Sequence, residues 1–138
     1  MTENAYKSFN ESKTIDELKY NMLAYCRLLK ESEIENKFLM QLLNKPIYKS
    51  NVLNLYETLE KYKRDLNEYD QVVSQLLEKV DSQIKQISGK IECEDVACDS
   101  FFLESYDGLE QRLHKTLNQN RQFKAQLFEY LESVIKNT

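Results

Sequence analysis

The sequence predicts an all-α protein, an elongated antiparallel three-helix bundle running up, down and up with coiled-coil packing. Three observations predict it. Helix breakers are nearly missing, with two Gly and one Pro in 138 residues, and such a chain has few turns. A heptad seam runs unbroken through the middle third: Val52, Leu55, Leu59, Tyr62, Leu66, Tyr69, Val73, Leu76, Val80, Gln83 and Ile87. Its spacing alternates three and four residues, the period that keeps one stripe of a helix facing its neighbours. Finally, Pro46 and Gly89 separate this stretch from two others with the same periodicity.

Residues 1–13 are polar with two aromatics, Tyr6 and Phe9, and read as a flexible N-terminal segment. The remaining 14–136 read as one helical bundle domain. Its first helix spans about 14–44. Thr14 is the expected N-cap, and Glu17 three residues on completes a capping box that satisfies exposed amide donors. The seam of this helix is Ile15, Leu18, Met22, Tyr25, Leu29, Ser32, Asn36, Leu39 and Leu43. Asn44-Lys45-Pro46 ends it, because a proline disfavours helical geometry at the residue before it. The second helix is expected over about 50–88, capped by Ser50 or Asn51. Charge pairs spaced i,i+4, such as Asp81 with Lys85, support its outer face by tenths of a kcal/mol each.

Ser88-Gly89 closes the second helix, and the acidic, aperiodic stretch 89–99 reads as a loop. The third helix is expected over about 100–136, capped by Asp99 or Ser100. Its seam is Phe102, Tyr106, Leu109, Leu113, Thr116, Asn120, Phe123, Leu127, Tyr130 and Val134. Gly108 weakens its first turns by about 1 kcal/mol relative to Ala.

A turn centred near Lys49 pairs Leu43 with Leu55, Leu29 with Tyr69 and Leu18 with Val80. The same construction through the acidic loop pairs Val80 with Leu109, Leu66 with Phe123 and Leu55 with Val134. In these registers Asn36 faces Tyr62 and Asn120 faces Tyr69. A buried amide opposite a phenol is hydrogen-bonded and disfavours slipped alignments, so Asn36 and Asn120 are read as register-setting.

Charge and composition restrict function. A net charge of −4 and a pI near 5.2 oppose general nucleic-acid binding, which needs a basic surface to neutralise phosphates, and oppose adhesion to anionic membranes. No apolar run reaches the ~20 residues that span a bilayer. The N-terminal residues carry neither a signal-peptide stretch nor a myristoylation glycine. Three cysteines without framework spacing suit a reducing compartment, so a cytoplasmic or nuclear location is expected.

Catalytic chemistry is not expected. Cys93 and Cys98 form one pair four residues apart, half of what a zinc shell needs, and the single histidine, His114, lies several turns away. His114 follows Glu110 by one turn, an orientation suited to acid–base work, but no nucleophile, phosphate-binding loop or second histidine accompanies it. No Glu-x-x-His pair of a di-iron bundle occurs. No cofactor, metal or catalytic residue is therefore assigned.

Apolar residues beside the seams carry more information. Tyr56, Val72, Leu77 and Ile84 flank the second seam, and Leu103, Leu117, Phe128, Leu131 and Ile135 the third, widening the stripe as a bundle interior requires. Ile34, Phe38 and Leu42 recur every four residues away from the Ser32–Asn36 seam and are assigned as a partner-binding face. The expectation is a scaffold or adaptor subunit of a multi-protein complex, of the kinetochore or cytoskeletal, membrane-traffic or transcription co-regulator type. It would bind other helical proteins or itself. An acidic helical chaperone for an amphipathic client helix is the alternative, and a metal or redox sensor built on Cys93 and Cys98 a distant one.

Overall fold

The computed structural model describes Asn10 and residues 13–90 and 96–137, with the side chains of Lys90 and residues 96–101 left out. It is an all-α bundle of three helices: α1 (Ile15–Leu43), α2 (Leu55–Lys90) and α3 (Val96–Val134). At ~1.5 Å per residue the 39 residues of α3 extend nearly 60 Å.

The seams are the core. In α1 the buried residues are Leu18, Met22, Leu29, Ser32, Asn36, Leu39 and Leu43, all of them seam positions. The capping box at Thr14 is present: Glu17 N–H donates to Thr14 Oγ1, and Thr14 N–H donates to Glu17 Oε1 at 3.0 Å. These bonds favour the ionised carboxylate and hold the Glu17 pKa below its ordinary value. The flanking residues Val72, Leu77, Ile84, Leu103 and Leu117 are partly buried against the interior, as a widened stripe requires, whereas Tyr56 and Phe128, expected to share that role, are exposed.

The helix boundaries differ from expectation at both turns. Ser50 and Asn51 do not start α2, which begins at Leu55 after Asn54, a residue with φ of 57°. Asn tolerates this left-handed conformation because its side chain bonds locally. The preceding residues are committed elsewhere. Lys49 N–H donates to Val134 O at 2.8 Å, Lys136 N–H to Ile47 O at 2.9 Å, and Tyr48 bridges Ile135 in antiparallel fashion. The Lys49 ammonium also donates to Ser133 O. The loop thus satisfies carbonyls that the end of α3 leaves without helical partners. Tyr48 does the same for α1, its hydroxyl donating to Leu42 O at 2.6 Å. At the other turn, α2 continues past Gly89 to Lys90 and α3 begins at Val96, so the interhelical connection is shorter than 89–99.

The longer first connection moves the α1–α2 register. Asn36 Nδ2 donates to Asp70 Oδ1 at 3.2 Å, not to Tyr62. That is a shift of about one heptad from the expected pairing, and Leu18 now shares a cluster with Ile87. The α2–α3 register agrees with expectation: Ser105 Oγ donates to Gln83 Oε1 at 3.3 Å, and Tyr69 stacks on Phe123 with centroids 4.9 Å apart. α1 and α2 backbones approach each other more closely than either approaches α3. Aromatic rings, including Tyr62 against both Phe123 and Tyr130, fill the wider gap.

The apolar core is in two pieces. One contains Leu18, Met22 and Leu29 of α1 with Val73 to Ile87 of α2 and Phe102 to Leu113 of α3. The other contains Leu39 and Leu43 with Leu59, Leu66, Phe123, Leu127 and Leu131. Ser32 and Asn36 on α1 and Asn120 and Lys124 on α3 fall between them, and all four are buried.

Candidate functional site

The face of α1 turned away from the bundle is where unpartnered apolar surface collects. Ile34 and Phe38 are 71% and 60% exposed. Leu42 differs from its two companions: it is partly buried and packs against the second core cluster, above Tyr48. Two residues that the sequence reading left out belong to the same face. Tyr20 is 68% and Leu23 45% exposed. At 100° per residue, both fall within the same arc as Ile34 and Phe38, opposite the Leu18–Leu43 seam. Phase counting around the helix finds them, whereas a search for i,i+4 repetition stops at Ile34-Phe38-Leu42. Arg27, Lys30 and Glu31 separate the two apolar pairs along this face.

Asn36 and Asn120 are both buried, but neither meets a tyrosine. Asn36 bonds Asp70, as above. Asn120 Nδ2 donates to Ser32 Oγ at 2.9 Å. α1 runs parallel to α3 here, and the small serine leaves room for the amide, while the Tyr69 ring turns onto Phe123. Lys124, itself buried, extends its ammonium past Ser32 to Glu35, a carboxylate that is largely exposed. Oδ1 of Asn36 and Oδ1 of Asn120 are buried without a hydrogen-bond donor.

A second polar cluster lies between α1 and α3 nearer the start of α1. Glu110, buried, accepts from Asn10 Nδ2 at 3.0 Å and from the Tyr25 hydroxyl at 3.3 Å. Asn10 also donates to Asp107, so its side chain bonds two carboxylates of α3. Burial, then the nearby Glu110 charge, pushes the Tyr25 pKa up to about 12. Tyr106 is fully buried beside it, and its hydroxyl donates to Leu18 O at 3.0 Å. His114 pairs with the Asn118 side chain.

Among the described residues no group of three or more His, Cys, Asp or Glu side chains is placed to hold a metal ion. Cys93 and the side chain of Cys98 lie outside the described residues, and Cys26 is a free, partly buried thiol. Among the described residues, no helix is long and apolar enough to cross a membrane. Comparison with protein-family models, with curated proteins and with solved structures finds no match.

Proposed function

We propose that this protein is a non-enzymatic scaffold or adaptor subunit that binds other helical proteins, with the outer face of α1 as its docking surface. The carrying observation is the exposure of Ile34 and Phe38 on a helix whose opposite side already supplies a full core seam. Intramolecular packing has no use for large apolar groups there. Burying one such side chain is worth ~1.5–3 kcal/mol, so a partner helix covering Ile34 and Phe38, with Tyr20 or Leu23, has an ample driving force. Lys19, Lys30 and Lys37 fall along one edge of this face and Glu31 and Glu35 along the other, which gives an incoming helix a preferred direction. The proposed setting is cytoplasmic or nuclear, supported by the free thiol of Cys26 and the absence of framework cysteine spacing.

The test is affinity purification from the native organism with Phe38→Glu and Ile34→Asp variants beside the wild type. Stoichiometric helical partners are expected with the wild type and lost in both variants, while circular dichroism shows unchanged helix content. Undiminished capture by both variants would remove the α1 face from this role.

A further inference from the structure

At the end of the rod that holds the 44–54 connection, an apolar groove, unpaired cations and an open backbone edge occur together. The groove has a volume of about 660 Å³, and Leu43, Val52, Leu55 and Leu59 supply its apolar lining. Leu53, between two lining residues, and Tyr56 are 87% and 78% exposed, more than any other large apolar side chain described. Lys45, Lys49, Lys63 and Lys136 also line the groove, against Glu57 and Glu60. Lys63 pairs with Glu60 at 2.7 Å, and the Lys49 ammonium donates to Ser133 O. Lys45 and Lys136 are exposed, and among the described residues neither side chain pairs with a carboxylate. A chain of net charge −4 therefore presents a positive, apolar surface here.

The backbone edge belongs to Tyr48. Its antiparallel bridge to Ile135 is made by the residues on either side: Lys49 N–H donates to Val134 O, and Lys136 N–H to Ile47 O. In this pattern the N–H and C=O of the central residue point away from the partner strand. Among the described residues, neither group of Tyr48 makes a backbone hydrogen bond. Pro46, Tyr48 and Lys49 all line the groove, so the edge lies along it. Such an edge can take one more extended segment.

We propose that this end of the bundle binds a short extended acidic segment of another protein, in which carboxylates alternate with apolar side chains. Its backbone pairs with Tyr48. A strand sends successive side chains to opposite sides, so the apolar set enters the groove while the carboxylates reach Lys45 and Lys136. Charge selects the sign of the partner, and the edge selects its class. Nucleic acids and lipid headgroups are anionic too, but they offer no run of backbone amides to pair with Tyr48. The contact uses neither Ile34 nor Phe38, so it stands or falls separately from the α1 docking face.

The probe is an acetylated and amidated synthetic peptide of about six residues, the usual length of a strand, alternating Glu with Val. It is titrated into the isotope-labelled full chain and followed by NMR. Saturable amide shifts are expected at Tyr48 and along 44–59, with binding that weakens as salt screens the contact. The variant Lys45→Glu with Lys136→Glu should bind about tenfold or more weakly. Circular dichroism checks its helix content, and Lys45→Gln with Lys136→Gln serves if the charge reversal unfolds the chain. A peptide with Lys in place of Glu should not bind. Of two peptides N-methylated at either the Val or the Glu amides, one should bind about tenfold more weakly than the other, because only one set of donors faces Tyr48. Absence of saturable shifts at Tyr48 overturns the proposal, as does binding that the lysine variants leave unchanged. Equal affinities for the two methylated peptides overturn the backbone pairing. Phosphatidylserine vesicles that produce the same shifts would mark a headgroup site instead.

Discussion

Replacing Asn120 with leucine tests what the polar residues between the two core clusters contribute. The Asn120 amide makes one hydrogen bond, to Ser32 Oγ at 2.9 Å, and its Oδ1 is buried without a donor. Losing the bond costs about 0.5–1.5 kcal/mol, and removing an unsatisfied buried acceptor returns about 1–3 kcal/mol. Ser32 Oγ is not stranded, because the Lys124 ammonium lies 3.5 Å away. Leucine branches where asparagine does but carries two methyl groups in place of the planar amide, so some overpacking offsets part of the gain. The net effect is between no change and a gain of about 2 kcal/mol. With urea slopes of about 1–3 kcal/mol/M, the unfolding midpoint should stay or rise by up to about 2 M, with the slope unchanged. Specificity should suffer while stability does not, so sedimentation is expected to show a broader spread of oligomeric states than for the wild type. A midpoint lowered by the equivalent of 2 kcal/mol or more would refute this reasoning, because it would show that Oδ1 belongs to an obligatory polar network.

Tyr106→Phe removes the bond to Leu18 O and keeps the ring in a fully buried position. A loss of about 1 kcal/mol is expected, read as a fall of about 3–5 °C in melting temperature for a chain of this length. Alkali should unfold the protein through its tyrosines. Burial, with Glu110 next in importance, raises Tyr25 to about 12, and burial raises Tyr48, Tyr69 and Tyr106 in the same direction. Between pH ~10, where an unfolded tyrosine ionises, and pH 12, the folded chain retains protons that the unfolded chain has released. The stabilisation is complete below pH 10 and is lost as pH rises towards 12. Tyrosinate absorbance followed beside circular dichroism should show a late-ionising group that titrates with unfolding. A single step near pH 10 with helix intact would count against it.

Much of the fold was legible in the sequence because heptad periodicity reports which side of each helix is buried. Every buried α1 residue was a seam residue, down to Ser32 and Asn36. The capping box at Thr14 and Glu17 was legible too, since its bonds are local. The start of α2 was not. Ser50 and Asn51 have the chemistry of caps, but the backbone of residues 47–49 bonds the end of α3, some eighty residues away in sequence. That displacement carried the α1–α2 register with it, since a heptad pattern is unchanged by a slip of one repeat. The partner of Asn36 was lost for the same reason, whereas that of Asn120 was missed although the α2–α3 register agrees, because Ser32 lies on the parallel helix α1. Of the exposed apolar residues on the outer side of α1, Ile34 and Phe38 were legible in the sequence; Tyr20 and Leu23 were not, and Leu42, grouped with Ile34 and Phe38, packs against the second cluster.

The division of the core has a consequence for how the bundle comes apart. Eleven buried residues form the cluster near the start of α1 and seven the cluster near its end, with amides, a hydroxyl and an ammonium between them. Apolar contact therefore does not run continuously along the rod, and the helical backbones are what transmits order from one half to the other. The smaller half, held additionally by Lys49 and Lys136, can open while the larger remains shut. Two short bundles in series are the expected behaviour, and hydrogen exchange should show opening at one extremity that stops at the polar boundary.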